Sequence, residues 1–249
     1  MNQPPTRDFI LGLPLLKPRM TSAEFTEWEH QQELKYEFVN GEVYEVYAMG
    51  GARREHNAVA LNVVAALKQH LRGTSCRAYI ADMQVQVLAT GDLFYPDVVV
   101  SYEAEALTAE ITRTQPKVIV EVLSPTTANY DRSDKFHKYR MIPSLREYAL
   151  IDPHTKTIDI YRWQESGDWL LAVADGERGL ALTSLEFFAD RAIVFEDVKE
   201  MRAMYTCCRC YGLEGLTGDK AAAAFLVEVN HFTFGSGCLR EAGSGALRA

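Results

Sequence analysis

Two short apolar runs, each bounded by a carboxylate, constrain the fold of this chain more than any other feature. Val98-Val99-Val100 directly follows Pro96-Asp97, and Val118-Ile119-Val120 directly precedes Glu121. Continuous runs of β-branched residues are typical of strands that are buried on both faces. A carboxylate in such a strand loses its hydration and needs a metal ion, a cation or a proton in compensation.

The strand context alone leaves two interpretations of these acids open. In the first they are structural: one caps a loop at a strand end, or Glu121 forms a buried ion pair with Lys117 or Lys135. In the second, Asp97 and Glu121 lie on neighbouring strands and converge on one cation. Side chains two residues apart in a strand share a face, so Leu123 points the same way as Glu121. Oxygen ligands without cysteine suit Mg²⁺ or Mn²⁺ better than zinc.

The order and spacing of several motifs resemble those of a nuclease family. Pro96-Asp97 followed by Glu121-Val122-Leu123-Ser124 is similar to the split acidic motif of the PD-(D/E)XK nuclease superfamily. From about residue 20 to about residue 198, the chain resembles one branch, the Uma-type family of restriction endonucleases. The stretches that carry this resemblance are residues 35–42, 54–57, 95–98, 121–127, 131–135 with Tyr139, and 147–148 before 151–153.

The resemblance implies a restriction-endonuclease-like α/β core, a divalent metal ion and hydrolysis of phosphodiester bonds in nucleic acid, with DNA expected as the substrate. Asp97 and Glu121 would bind Mg²⁺ or Mn²⁺, and the carbonyl oxygen of Val122 would be a further ligand. The superfamily often places a lysine two residues after the second acid, where this chain has Leu123. Family analogy also suggests a homodimer.

In the resembling branch the lysine moves to the following helix, where Lys135 is the best match. Lys138 follows at i+3 and would share that helix face. The structural alternative for Lys135 is an ordinary solvated lysine. Glu37 matches the N-terminal acid of the branch and would be a third metal ligand or a group that orients water. The structural interpretation of Glu37 is an ion pair with Lys35 at the surface. The predicted catalytic residues are therefore Glu37, Asp97, Glu121 and Lys135.

Local patterns predict a mixed central sheet flanked by helices, with additional β-hairpins. A capping box at Thr21 predicts a helix to about Gln32, and Asn40-Gly41 predicts a hairpin turn. His56 falls in the first turn of a predicted helix, where a capping or packing role is favoured over contact with the site. The other expected elements are helices at 54–71 and 131–141, strands at 79–88, 97–101 and 118–123, and a meander of strands at 146–151, 157–163 and 169–174.

Composition divides the chain into three parts. Residues 1–19 hold four prolines and are interpreted as an N-terminal arm, and residues 20–198 as the restriction-endonuclease-like domain. Residues 199–249 contain four of the five cysteines and are expected to be a weakly ordered C-terminal tail. A zinc site there is disfavoured because adjacent Cys207-Cys208 lacks the spacing of a zinc knuckle.

Charge and hydropathy restrict the classes of function. The net charge of −8 opposes bulk DNA binding, although residues 113–146 hold seven basic and three acidic side chains. Absence of a signal-peptide pattern and of an apolar run of roughly 20 residues predicts a cytoplasmic protein that does not enter membranes. The alternative to a nuclease is a catalytically inactive nuclease-fold protein that binds nucleic acid or a protein partner. The feature that favours this alternative is Leu123, which occupies the position where the superfamily often has a lysine.

Overall fold

A six-stranded mixed sheet lies at the centre of the described part of the chain. The computed structural model of the protein describes residues 15–17, 19–45, 53–102, 112–174 and 178–199. The strands of this central sheet are β4 (Cys76–Ile80), β7 (Val98–Tyr102), β9 (Pro116–Val122), β10 (Glu147–Asp152), β11 (Thr157–Trp163) and β12 (Trp169–Ala174). Their order across the sheet is β12-β11-β10-β9-β7-β4. Strands β9 and β10 are parallel and the other neighbours are antiparallel.

A second six-stranded sheet packs against one face of the central sheet. Its strands are β1 (Leu15–Lys17), β2 (Tyr36–Val39), β3 (Glu42–Glu45), β5 (Gln84–Val87), β6 (Asp92–Phe94) and β8 (Thr112–Arg113). Their order across the sheet is β1-β3-β2-β6-β5-β8. The turn between β2 and β3 has positive φ at Asn40 and Gly41 (53° and 84°), as the Asn-Gly hairpin signal predicts.

Helices cover the outer faces of both sheets. Helix α1 (Ser22–Glu29) packs on the second sheet, and Thr21 forms the expected capping box with Glu24. Helix α2 (Arg53–His70) packs on the central sheet, together with the hairpin β13 (Leu180–Leu182) and β14 (Phe187–Ala189) and helix α4 (Arg191–Val194). In the described ranges, no helix has the length and apolar character needed to cross a bilayer.

Helix α3 lies between the two sheets and combines three segments. These are Ala128–Tyr130, a π-helical turn Asp131–Lys135, and Phe136–Tyr139. The expected helix at 131–141 is therefore present but begins three residues earlier. Phe136 stacks on Tyr148 and Tyr161 of the central sheet, so aromatic packing holds the helix in place.

The predicted mixed sheet with flanking helices and hairpins is confirmed, but the expected strand at 79–88 is wrong. The chain forms β4 and β5 instead, and these belong to different sheets. Ala81 separates them because its φ of 53° breaks the extended backbone, while its N–H binds the carbonyl oxygen of Asp97. Periodicity could not reveal this break, since the residues on both sides have strand character.

Candidate active site

Asp97 and Glu121 come together because their strands are neighbours. Strands β7 and β9 pair antiparallel, with Val98 opposite Val120. The carboxylate of Asp97 accepts a hydrogen bond from the Val122 N–H (2.7 Å), and Glu121 Oε2 lies 3.4 Å from the Asp97 backbone nitrogen. The Asp97 carboxylate therefore contacts the backbone next to Glu121, and the Glu121 carboxylate contacts the backbone of Asp97.

Glu121 faces the layer between the two sheets. Ile119 and Leu123, two residues to either side of it, belong to the buried cluster that also contains Val99, Tyr139 and Tyr148. Helix α3 covers this face of β9, so the side chain two residues after Glu121 packs into apolar surroundings. Leu123 is 2% exposed, and the cation near Glu121 comes from the helix instead.

Lys135 supplies that cation. Its Nζ lies 2.9 Å from Glu121 Oε1, 3.1 Å from Glu37 Oε1 and 3.8 Å from Asp131 Oδ1. Lys135 is 5% exposed, and Tyr139 donates a further hydrogen bond of 3.2 Å to Glu121. An ordinary solvated lysine is therefore excluded at this position. The π-helical turn brings Asp131 and Lys135 into the same buried space.

Glu37 enters the site from hairpin strand β2. It is buried, and its Oε1 accepts a 3.4 Å hydrogen bond from the Tyr95 N–H in addition to the contact with Lys135. The surface pair of Glu37 with Lys35 is not formed, because Lys35 binds Asp82 and the Ala81 carbonyl. The four predicted catalytic residues thus come from β2, the start of β7, β9 and α3.

The buried cluster has more carboxylates than cations. Burial raises the pKa of Glu121 to about 8, with a further contribution from Asp97 and opposition from Lys135. Burial also raises the pKa of Asp131 to about 6, again against the charge of Lys135. For Lys135 burial alone would lower the pKa, but Glu121 and Glu37 raise it well above its usual range. An additional positive charge would stabilise this cluster.

His56 contacts the site, although the sequence favours a capping or packing role for it. Its Nε2 lies 3.2 Å from Asp97 Oδ2, so the favoured capping or packing role is replaced by direct contact with the site. Burial alone would lower the pKa of His56, but the hydrogen bond to Asp97 and its negative charge raise it above the usual value. The position of His56 in the first turn of α2, in the motif residues 54–57, was the only available signal.

Lys138 does not reach this cluster. Its Nζ binds Asp92 Oδ2 at 2.7 Å and Asn40 Oδ1 at 2.6 Å, joining helix α3 to the hairpin turn. The basic stretch 113–146 does not form a continuous surface either. Arg113 is 2% exposed and stacks on Tyr79, and Lys135 is buried, so two of its seven cations face the interior.

The atoms of the site that could bind a metal ion are carboxylate oxygens, and the imidazole of His56 lies beside them. In the described part of the chain, no three His, Cys, Asp or Glu side chains are arranged together around a metal position. The carboxylates of Asp97 and Glu121 are neighbours at the ends of paired strands. Mg²⁺ is commonly bound by one or two carboxylates with water in its remaining positions. The zinc site that the sequence disfavours at residues 207–238 lies outside the described residues.

The protein has a mixed α/β fold with a buried carboxylate–lysine cluster, and the family comparison gives its class. Residues 22–192 match the family model Uma2, described as "Putative restriction endonuclease". The chain belongs to this family. It is 32% identical over 168 residues to an uncharacterised protein of Synechocystis sp., covering 68% of this chain and 87% of that protein. A second uncharacterised Synechocystis protein is 33% identical over 160 residues, covering 64% and 89% of the two chains.

A solved structure shares the fold. It is described as "a putative nuclease belonging to DUF820 from Anabaena variabilis", with a TM-score of 0.59 and 18% sequence identity. The likeness covers 71% of this chain and 97% of that protein. At this identity the likeness shows the fold alone, and the family match carries the nuclease-like assignment.

Proposed function

We propose that this protein is a metal-dependent endonuclease that hydrolyses phosphodiester bonds in nucleic acid, with DNA as the expected substrate. The observation that carries the proposal is the buried contact of Lys135 with Glu121, directly beside Asp97 on the neighbouring strand. Two acids and one lysine are the side chains that the split motif of this superfamily requires, and here the lysine comes from a helix.

The donor set fits Mg²⁺ or Mn²⁺. Asp97 and Glu121 would hold the ion through carboxylate oxygens, and the negative excess of the cluster favours a cation. The N–H and C=O of one strand residue point to the same side in an antiparallel pair. The carbonyl of Val122 therefore faces the side on which its N–H binds Asp97, which supports its assignment as a third ligand.

Each protein group has a proposed task. Asp97 and Glu121 would hold the ion, which would provide a hydroxide from bound water at neutral pH and offset negative charge on the phosphoryl group. Lys135 orients the attacking water or stabilises the negative charge that develops on the phosphorus oxygens. Glu37 holds Lys135 from the second side and assists in orienting water. His56 fixes the orientation of the Asp97 carboxylate.

A catalytically inactive nuclease-fold protein that binds nucleic acid or a protein partner is the second candidate. The observation that favours it is that Lys135, Tyr139 and the Asp97 backbone already surround the Glu121 carboxylate. In this alternative the cluster is a structural ion-pair network. Its affinity for divalent metal ions is then no higher than that of carboxylates on the protein surface.

The experiment is cleavage of supercoiled plasmid DNA by the purified chain with Mg²⁺, with Mn²⁺ and with EDTA. We expect cleavage with either ion and none with EDTA. Asp97→Asn and Glu121→Gln should each abolish it, since each removes a ligand charge and nearly keeps the side-chain shape. Asp168→Asn is the matched control, because Asp168 is exposed in the β11–β12 turn and its carboxylate accepts a hydrogen bond from the Ser166 hydroxyl.

Two results would overturn the proposal. One is the absence of cleavage of DNA and RNA with either ion, which would leave the binding protein as the function. The other is Asp97→Asn protein that cleaves as fast as the parent, which would place the activity outside this cluster or in a contaminant.

A further inference from the structure

Strand β12 forms an outer edge of the central sheet. It pairs with β11 on one side, and among the described residues no strand pairs with its other side. The outward backbone N–H and C=O groups of an edge strand are a template for the addition of a further strand. These groups restrict what can cover the edge, because an extended backbone is the structure that matches them.

The register with β11 shows which residues of β12 face outward. Trp163 of β11 lies opposite Trp169 of β12. The N–H of Trp163 donates to the Arg146 carbonyl (2.9 Å), on the side of β10, so this pair is not hydrogen-bonded across β11 and β12. Hydrogen-bonded and non-hydrogen-bonded pairs alternate in an antiparallel ladder. Trp169, Leu171 and Val173 therefore direct their backbone groups away from β11.

The outer edge of β12 is apolar and unprotected. Leu170, Leu171 and Val173 are 57%, 46% and 53% exposed. The strand, Trp-Leu-Leu-Ala-Val-Ala, has no charged residue and no proline, and its register with β11 continues without a bulge. Charged side chains, proline and bulges are the features that keep edge strands from pairing with other chains. Strand β12 has none of them.

The other edges of the two six-stranded sheets are protected in the described part of the chain. At the opposite edge of the central sheet, the Arg77 guanidinium of β4 binds the backbone carbonyls of Thr74 and Cys76, each at 2.8 Å. The second sheet ends in β1 and β8, which have three and two residues. Short edge strands have few groups for pairing. With six residues, β12 is the long open edge.

We propose that β12 pairs antiparallel with β12 of a second copy of this chain, about a two-fold axis at Leu171. Leu171 then lies opposite its own copy, and Trp169 lies opposite Val173 in both directions. Every outward backbone group of the strand gains a partner, and the exposed apolar side chains are covered. A two-fold interface needs a surface that matches itself. The outward residues of β12 are symmetric about Leu171, and no like charges meet across the axis.

The central sheets of the two copies join into one continuous sheet in this arrangement. Neither the nuclease function nor the family analogy is needed for this inference, because it rests on the open edge.

The test measures the oligomeric state of the full chain with a reducing agent present, so that its five cysteines do not crosslink copies. Light scattering and analytical ultracentrifugation over an about 100-fold range of concentration give the dissociation constant of the dimer. Leu171→Lys and Leu171→Glu should each raise this constant at least about 10-fold, because each places like charges directly opposite at the axis. Circular dichroism checks that both variants keep the fold.

An equal mixture of the two variants tests the register. Opposite charges then meet at the axis, so the mixture should form dimers that neither variant forms alone. Leu88→Lys is the control, because Leu88 is 68% exposed and lies outside β12. This control should keep the dissociation constant of the parent.

Three results would overturn the inference. One is a parent protein that stays monomeric at every concentration, including a monomer in which slow amide exchange at Leu171 shows that another segment of the chain covers the edge. Another is a dimer that survives both charged substitutions, since it must use a different surface. The third is a mixture of the two variants that remains monomeric. The nuclease proposal is tested separately, by cleavage of DNA.

Discussion

His56 Nε2 lies 3.2 Å from Asp97 Oδ2, although the two residues belong to different elements, a helix and the start of a strand. The same oxygen of Asp97 accepts the Val122 N–H, so two donors hold one side of the carboxylate. The other carboxylate oxygen, Oδ1, is then directed away from these donors. This arrangement explains how a partly buried acid is kept in one orientation beside Glu121.

The first prediction concerns this contact. A hydrogen bond to a charged group contributes roughly 1.5–3 kcal/mol, and this free energy is lost when the donor is removed. His56→Ala should therefore lower kcat about 10- to 100-fold, and His56→Gln, which keeps an N–H donor, should recover part of the loss. Mg²⁺ affinity measured by calorimetry should follow the same order. His70→Ala is the control, since His70 lies at the other end of α2 and binds the Leu185 carbonyl. Equal kcat in His56→Ala and the parent would contradict the role.

The second prediction concerns stability. Lys135→Met leaves Glu37 and Glu121 buried without their shared cation, and the free energy of unfolding should fall by about 3–5 kcal/mol at neutral pH. Adding Glu121→Gln to this variant removes one of the unpaired charges and should restore part of the loss. Urea unfolding followed by circular dichroism gives the four values of the double-mutant cycle. Strictly additive effects would show that the two side chains do not interact.

The third prediction separates two lysines of helix α3. Lys135→Ala should lower kcat more than it weakens DNA binding, because a contact made in the transition state acts on the chemical step. Lys138→Ala should mainly reduce stability, since Lys138 binds the fully buried Asp92 and the hairpin residue Asn40. The measurements are kcat, DNA affinity and thermal midpoint for both variants. A larger kcat effect at Lys138 would transfer the catalytic role to that residue.

The fourth prediction concerns pH and a carboxyl group outside the site. Burial raises the pKa of Glu29, which accepts hydrogen bonds from the Tyr36 N–H and the Gln84 amide. A raised pKa in the folded state means that the folded protein binds this proton more tightly than the unfolded chain. The contribution of Glu29 to stability is therefore complete below the unfolded pKa near 4.5 and is lost as pH rises through the folded value.

Glu29→Gln removes this dependence. The stability difference between Glu29→Gln and the parent should shift in favour of the variant as pH rises above about 4.5. Urea unfolding at intervals from pH 4 to pH 7 measures the difference, and the slopes of other carboxyl groups cancel in it. A difference that stays constant across this range would show that the pKa of Glu29 is the same in both states.

Local sequence determined several elements of this protein. The Thr21 capping box, the Asn40-Gly41 turn and the β-branched runs around Asp97 and Glu121 act within a few residues, so their patterns predict structure directly. The alternation of strand residues likewise placed Glu121 and Leu123 on one face. The family resemblance, carried by motif order, then indicated which acids and which lysine to consider.

Only the tertiary structure decided which side chains meet. The π-helical turn and the aromatic packing of α3 bring Lys135 to Glu121 and Glu37, and the docking of α2 brings His56 to Asp97. It also split the apolar stretch at 79–88 between two sheets, through the positive φ of Ala81. These contacts join residues far apart in the chain, and their free energy depends on burial and charge that no local pattern records.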